Sequence, residues 1–368
     1  MRGTPVREAA PRPGDDAHTL VGPAGFLSGP WLLTGHDGRL IVFAHVEGAV
    51  LRWTERRPGG PEWDGPDVLP VKHLTHLTVV QGRNRYAHLV GRRARRTGQS
   101  LAVDLVYAIQ YQAGRPLSEW RSLGNPHAKP ERTAQLGEPT GVVDSSGTLH
   151  VLAPTAEGHL ALRREDKQGR WEPWKDLGVA ACTGVPAAAA TSDGLVEILA
   201  PGRGSALIWG QQEPAGTFRR GTDLPVVPLP GTGVAVETSS GRATHYVTDA
   251  RTGGIVAVRA GEWPVPLEGV VPGDGRHAAL GATVDGYACT VLAHRALDGT
   301  VVLGVCVAEQ ERSGVWWTDT GMPSTADPTL ALDGHGRVVV LAVTRDGAPV
   351  VARQEAGQGL TLGGWNRI

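Results

Sequence analysis

Five residues carry side chains suited to sharing or moving a proton: His73, His76, Glu138, His277 and Asp327. Imidazole titrates near neutrality, so a histidine brought beside a carboxylate makes an acid and base pair. A second group is aromatic, because an indole face is a surface on which a sugar ring or another flat molecule stacks. Trp31, Trp53, Trp174, Trp209 and Trp317 form this candidate binding set, since they repeat less fully than the other tryptophans. Trp63, Trp120, Trp171, Trp263, Trp316 and Trp365 recur at one position of a repeat and read as packing residues.

What must position these residues is a repeat of about 45 to 50 residues running along the chain, a period within the range of propeller blades. Each unit has a short apolar strand, a glycine-containing turn, an alternating apolar strand, a further turn and strand, and an ending near a tryptophan. The clearest copies are His36-Asp37-Gly38-Arg39-Leu40-Ile41-Val42-Phe43-Ala44, Ser145-Ser146-Gly147-Thr148-Leu149-His150-Val151-Leu152-Ala153, Ser192-Asp193-Gly194-Leu195-Val196-Glu197-Ile198-Leu199-Ala200 and Gly334-His335-Gly336-Arg337-Val338-Val339-Val340-Leu341-Ala342. Phe218 replaces the ending tryptophan in the fourth unit.

The fold expected is all-β: a seven-bladed β-propeller of four-stranded antiparallel blades around a central channel. Its inner strands are expected near residues 31–35, 74–81, 138–144, 185–191, 233–238, 277–283 and 327–333. Residues 1–21, rich in proline and charge, read as a disordered tail, and residues 22–368 as one propeller domain. The second unit carries an insertion, placed at Arg92–Gln99 in a hairpin and His127–Gln135 in the connection to the next blade. The proton-sharing candidates stand near the starts of inner strands, where side chains from several blades converge on one mouth of the channel.

Lysine plus arginine number 36 against 37 aspartate plus glutamate, which gives no overall field for nucleic acid or an anionic membrane. No apolar run reaches the roughly 18 residues of a membrane helix, and no signal-peptide pattern opens the sequence, so a cytoplasmic location is expected. The three cysteines, Cys182, Cys289 and Cys306, read as buried free thiols. Arg83, Arg85, Arg92, Arg93, Arg95 and Arg96 make the second unit locally basic, a place where a phosphate or carboxylate could sit or simply a solvated hairpin. No phosphate loop, zinc-hydrolase pair or serine-hydrolase elbow occurs, so neither cofactor nor metal is expected.

The run Asp37-Gly38-Arg39-Leu40-Ile41-Val42-Phe43-Ala44 followed by Trp53, and the ending Trp171-Glu172-Pro173-Trp174-Lys175-Asp176-Leu177-Gly178, resemble the seven-bladed PLL-like bacterial lectin propellers, relatives of fucose-binding lectins. The resemblance extends over Gly22 to Ile368 and implies sugar sites between adjacent blades, built from aromatic and charged side chains. The segments after the long strands, such as Val46-Glu47-Gly48, Thr155-Ala156-Glu157-Gly158 and Thr344-Arg345-Asp346-Gly347, share no aromatic and no fixed charge. No individual sugar-binding residue therefore transfers. Two functions follow: a lectin-like propeller binding a glycan or related small molecule, or a cofactor-independent cyclase, isomerase or lyase of bacterial specialised metabolism with one asymmetric pocket at the channel mouth. Binding stands first. The oligomeric state is left open.

Overall fold

The computed structural model describes residues 25–368 apart from 99, 167, 180 and 358; the expected tail lies outside the described residues. The turns that open each blade have a local cause. Asp144 accepts hydrogen bonds from the amides of Ser146 (2.9 Å) and Thr148 (3.0 Å), and Asp333 does the same for His335 and Arg337 (2.9 and 3.0 Å). A glycine at positive φ, Gly147 or Gly336, completes each turn.

Seven four-stranded antiparallel sheets result, each with its strands paired in chain order. Blade 1 contains β1 (Ser28–Thr34), β2 (Leu40–Val46), β3 (Ala49–Glu55) and β4 (Trp63–Pro70). Blade 2 contains β5 (Leu74–Gln81), β6 (Ala87–Thr97), β7 (Ser100–Gln110) and β8 (Arg121–Gly124). After the short α1 (Pro130–Thr133) comes blade 3, with β9 (Thr140–Val143), β10 (Leu149–Pro154), β11 (His159–Arg164) and β12 (Lys175–Val179). Blade 4 holds β13 (Ala187–Ala190), β14 (Val196–Pro201), β15 (Ala206–Gln211) and β16 (Phe218–Arg220). Blade 5 holds β17 (Val234–Ser239), β18 (Arg242–Thr248), β19 (Ile255–Val258) and β20 (Val265–Leu267). Blade 6 holds β21 (Ala278–Val284), β22 (Tyr287–Arg295), β23 (Thr300–Val307) and β24 (Trp316–Pro323). Blade 7 ends the ring with β25 (Thr329–Leu332), β26 (Val338–Val343), β27 (Pro349–Arg353) and β28 (Asn366–Arg367).

The expected inner strands coincide with β1, β5, β9, β13, β17, β21 and β25, with ends shifted by a few residues. The insertion in the second unit is the long β6–β7 hairpin together with α1, while Gln99 at its tip lies outside the described residues. All three cysteines are free and buried.

The core is seven separate wedges, one between each pair of neighbouring blades. Side chains alternate across a strand, so a middle strand feeds both wedges beside it. In β2, Leu40, Val42, Ala44 and Val46 face blade 7, while Ile41 and Phe43 face blade 2. In β26, Val339 and Leu341 face blade 1, while Val340 and Ala342 face blade 6. Burial on both faces explains why these strands read as unbroken apolar runs rather than alternating ones.

Each inner strand contacts the next around the ring, and β25 contacts β1, which closes it. At that seam Thr34 donates a hydrogen bond to the Leu332 carbonyl, and Arg353 of blade 7 pairs with Glu55 of blade 1 at 2.6 Å. The Glu55 side chain is wholly buried and also accepts the Leu40 amide at 2.9 Å. Burial pushes its carboxyl above the usual value, and Arg353 opposes that shift. Removing one partner from such a pair strands a buried charge. We expect Arg353→Leu to lower the unfolding free energy in urea by about 3 kcal/mol. Arg367→Leu, which breaks the exposed Arg367–Asp346 pair, should cost less than about 1 kcal/mol. Equal losses would deny the seam pair any special role.

Candidate functional site

The channel has a front mouth, where the inner strands begin, and a rear mouth, where the first turn of each blade lies. Four of the five proton-sharing candidates line the front mouth, around a cavity of about 500 Å³: His76, Glu138, His277 and Asp327. His73 does not join them. It precedes β5 at φ 65°, its carbonyl accepts the Ala94 amide at 2.9 Å, and it stands beside Arg95 and Arg96 on the flank of the long hairpin.

His76 Nε2 and Glu138 Oε1 meet at 2.9 Å, joining blade 2 to the start of blade 3. The His76 hydrogen bond holds the Glu138 carboxyl below its ordinary value. Both side chains are partly open to solvent. Across the mouth, Asp327 accepts the Arg276 amide at 2.8 Å and lies 3.6 Å from Arg295 Nε. His277 is buried and is bonded through Nε2 to Thr248 Oγ1 at 2.8 Å. Burial, with His294 nearby, lowers its pKa to about 3, so this ring stays neutral near pH 7.

Of the aromatic candidates, only Trp31 lines the channel. Its ring lies over Gly29, where an added Cβ would come within 2.5 Å of the indole and where φ is +89°, so the contact requires glycine. Trp53 and Trp209 are 3% and 1% exposed and fill wedges. Trp174, Trp209 and Trp317 donate Nε1–H to the carbonyls of Leu123 (3.0 Å), Leu177 (3.1 Å) and Glu268 (2.7 Å), each in the preceding unit. These three indoles are latches between blades, an arrangement that leaves them little face for a ligand.

The repeated tryptophans divide in the other direction. Trp63, Trp120, Trp171 and Trp365 pack against wedges as expected. Trp263 and Trp316, expected to do likewise, are 76% and 66% exposed. In blade 6 the neighbouring Trp317 packs against the wedge instead, which frees the repeated aromatic.

Sequence reasoning passed over Arg276, which lines the front mouth. Its side chain is solvent-exposed, and its guanidinium makes no hydrogen bond or ion pair to a described residue. Enclosure by the ring pulls its pKa below the usual arginine value, with Asp327 opposing. The exposure shows that this enclosure comes from surrounding walls rather than close packing, and the group remains charged. The only clue in the sequence was its place next to His277.

At the rear mouth, around a cavity of about 660 Å³, Arg83 of blade 2 reaches Glu237 of blade 5 at 3.6 Å. These blades are not neighbours, so the pair spans the channel. The remaining basic stretch is largely engaged: Arg92 donates to the Leu136 and Ala134 carbonyls, and Arg93 and Arg95 face Asp104. Five residues line both cavities and form the waist between them: Leu32, Leu33, Val79, Ala279 and Leu330. All are aliphatic.

No family model matches the sequence, and no curated protein matches it. Among solved structures, the chain is similar to the BP39L lectin from Burkholderia pseudomallei, with a TM-score of 0.64 at 16% identity, covering 93% of this chain and 98% of that one. It is also similar to the Hadza microbial sialidase Hz136 (TM-score 0.53, 14% identity, 84% of this chain and 71% of that one). A third similar structure is the SapL1 lectin in complex with alpha methyl fucoside (TM-score 0.50, 14% identity, 80% and 96%). At these identities the likeness shows the propeller fold.

Burial of His88 and His45 opposes their protonation. His88 is 2% exposed, has no hydrogen-bond partner at either ring nitrogen among the described residues, and burial lowers its pKa to about 4; His45 is lowered similarly. An unfolded histidine takes up its proton near pH 6.5, so between about 6.5 and 4 the unfolded chain binds more protons and stability is lost as pH falls. We expect the urea midpoint to drop across that window, each such ring contributing on the order of 3 kcal/mol. His88→Phe should hold its stability at pH 7 and flatten the acid loss. An unchanged pH profile in that variant would contradict the assignment.

Proposed function

We propose that this chain is a lectin-like binding propeller that holds one glycan unit, or a related small polar molecule, at the front mouth of its channel. The observation that carries the reading is convergence. His76, Glu138, Arg276 and Asp327 come from the inner-strand starts of blades 2, 3, 6 and 7, and all line one cavity that Trp31 of blade 1 also lines. Donors and acceptors around an aromatic wall are what a polyhydroxylated ring needs, with the ring face on the indole and hydroxyls on the charged groups.

Each blade contributes a different side chain, so the site is single rather than sevenfold. Avidity from many weak sites requires sameness that this mouth lacks. The lectin propellers with the same fold support binding over catalysis. Catalysis would ask the His76–Glu138 pair to act as acid and base, and the experiment separates the two.

A saccharide panel screened by isothermal titration calorimetry should return a ligand of unit stoichiometry. Trp31→Ala and His76→Ala should each weaken it roughly tenfold, equivalent to about 1.4 kcal/mol. Trp263→Ala, on a repeated position outside the channel, should leave it unchanged. The ligand should be recovered intact by mass spectrometry after prolonged incubation; a chemically altered product would replace the binding reading with the enzymatic one.

A further inference from the structure

Two features of the channel point beyond a neutral sugar. The first is Arg276. The carboxylates near it are already engaged, Glu138 by His76 and Asp327 by the Arg276 amide with Arg295 facing it. Arg92 also lies within electrostatic reach of Glu138. Three guanidinium groups therefore stand against two carboxylates; Arg295 approaches Asp327 only to 3.6 Å, and the Arg276 guanidinium, which has no hydrogen-bond partner among the described residues, is the one of the three that lines the front cavity. A guanidinium fork matches a carboxylate through two parallel hydrogen bonds.

The second is the waist. Ala279, in β21, lies three residues beyond Arg276, which precedes that strand, and about 10 Å deeper into the ring. Around it the shared lining is aliphatic, with no charged side chain until the Arg83–Glu237 pair at the rear. Leu32 and Val79 are buried in wedges, but Leu33, Ala279 and Leu330 are half-buried, and apolar wall of this kind is surface that an apolar chain would cover favourably. The vessel is thus charged at its rim, apolar along its wall and crossed by an ion pair at its floor.

We propose that this channel binds an amphipathic carboxylate, with the carboxyl group on Arg276 and an unbranched apolar body along the waist. This goes beyond the glycan reading, which needs the rim alone.

The probes are acetate, hexanoate and decanoate, each below its aggregation threshold, with decanol as the uncharged match. Calorimetry on the full chain should show affinity rising with chain length, roughly threefold to tenfold per added pair of methylenes. Arg276→Gln should weaken decanoate at least tenfold while leaving decanol and the melting temperature unchanged, since this guanidinium has no hydrogen bond to a described residue to lose. Ala279→Phe should block decanoate, and the length series in the unmodified protein tests the same point should that variant not fold. Decanoate bound equally well by Arg276→Gln, or affinity independent of length, would overturn the inference. Saccharide binding without decanoate binding would overturn it and leave the glycan reading standing; decanoate held through Arg276 with no saccharide bound would do the reverse.

Discussion

Everything in this molecule depends on the seventh blade meeting the first. A four-stranded sheet with apolar residues on both faces cannot stay in water alone, because each face must be covered by another sheet. Six of the wedges are formed between consecutive blades, as ordinary local packing. The last requires Ala331, Val339, Leu341 and Val351 to cover the exposed face of blade 1, with Arg353 and Glu55 sealing the join. A buried ion pair adds little net energy over an apolar pair of equal size, but it penalises misalignment heavily.

Closure also creates the channel. Once the inner strands form a ring, their starting residues gather at one mouth whatever their separation in sequence, so residues of blades 2, 3, 6 and 7 become neighbours. The wedges constrain the strands from outside and leave the channel face of each inner strand free to vary. Variation there yields one asymmetric mouth in place of seven copies.

The repeat was readable because turn chemistry is local. Asp144 and Asp333 organise turns using atoms within a few residues, and the apolar run of β2 records burial on two faces without reference to the rest of the chain. The same logic located four of five front-mouth residues, since a place at the start of an inner strand fixes which mouth a residue meets. Trp53, Trp209, Trp263 and Trp316 were not readable in this way. Position in a repeat says where a side chain begins, whereas exposure depends on what the adjacent blade supplies. Trp317 packing against one wedge released Trp316, and nothing near Trp316 in sequence records that exchange. Arg276 was missed for a related reason: a lone arginine becomes conspicuous only when every nearby carboxylate is seen to be taken.

The seam has a further consequence. Its wedge is built like the other six, with alternate residues of middle strands meeting across a blade boundary, and Phe26 and Ile368 both pack against it. Every blade is a consecutive stretch of chain, and among the described residues no strand is shared between the first and last. The place where the polypeptide is interrupted is therefore arbitrary with respect to the disc. A circularly permuted chain, with its ends joined and a break made in another connector, would close into the same ring. Glu55 and Arg353, now 298 residues apart, would then be separated by about 70 residues of joined chain, and the search for the most chain-distant contact would move to whichever wedge inherited the break.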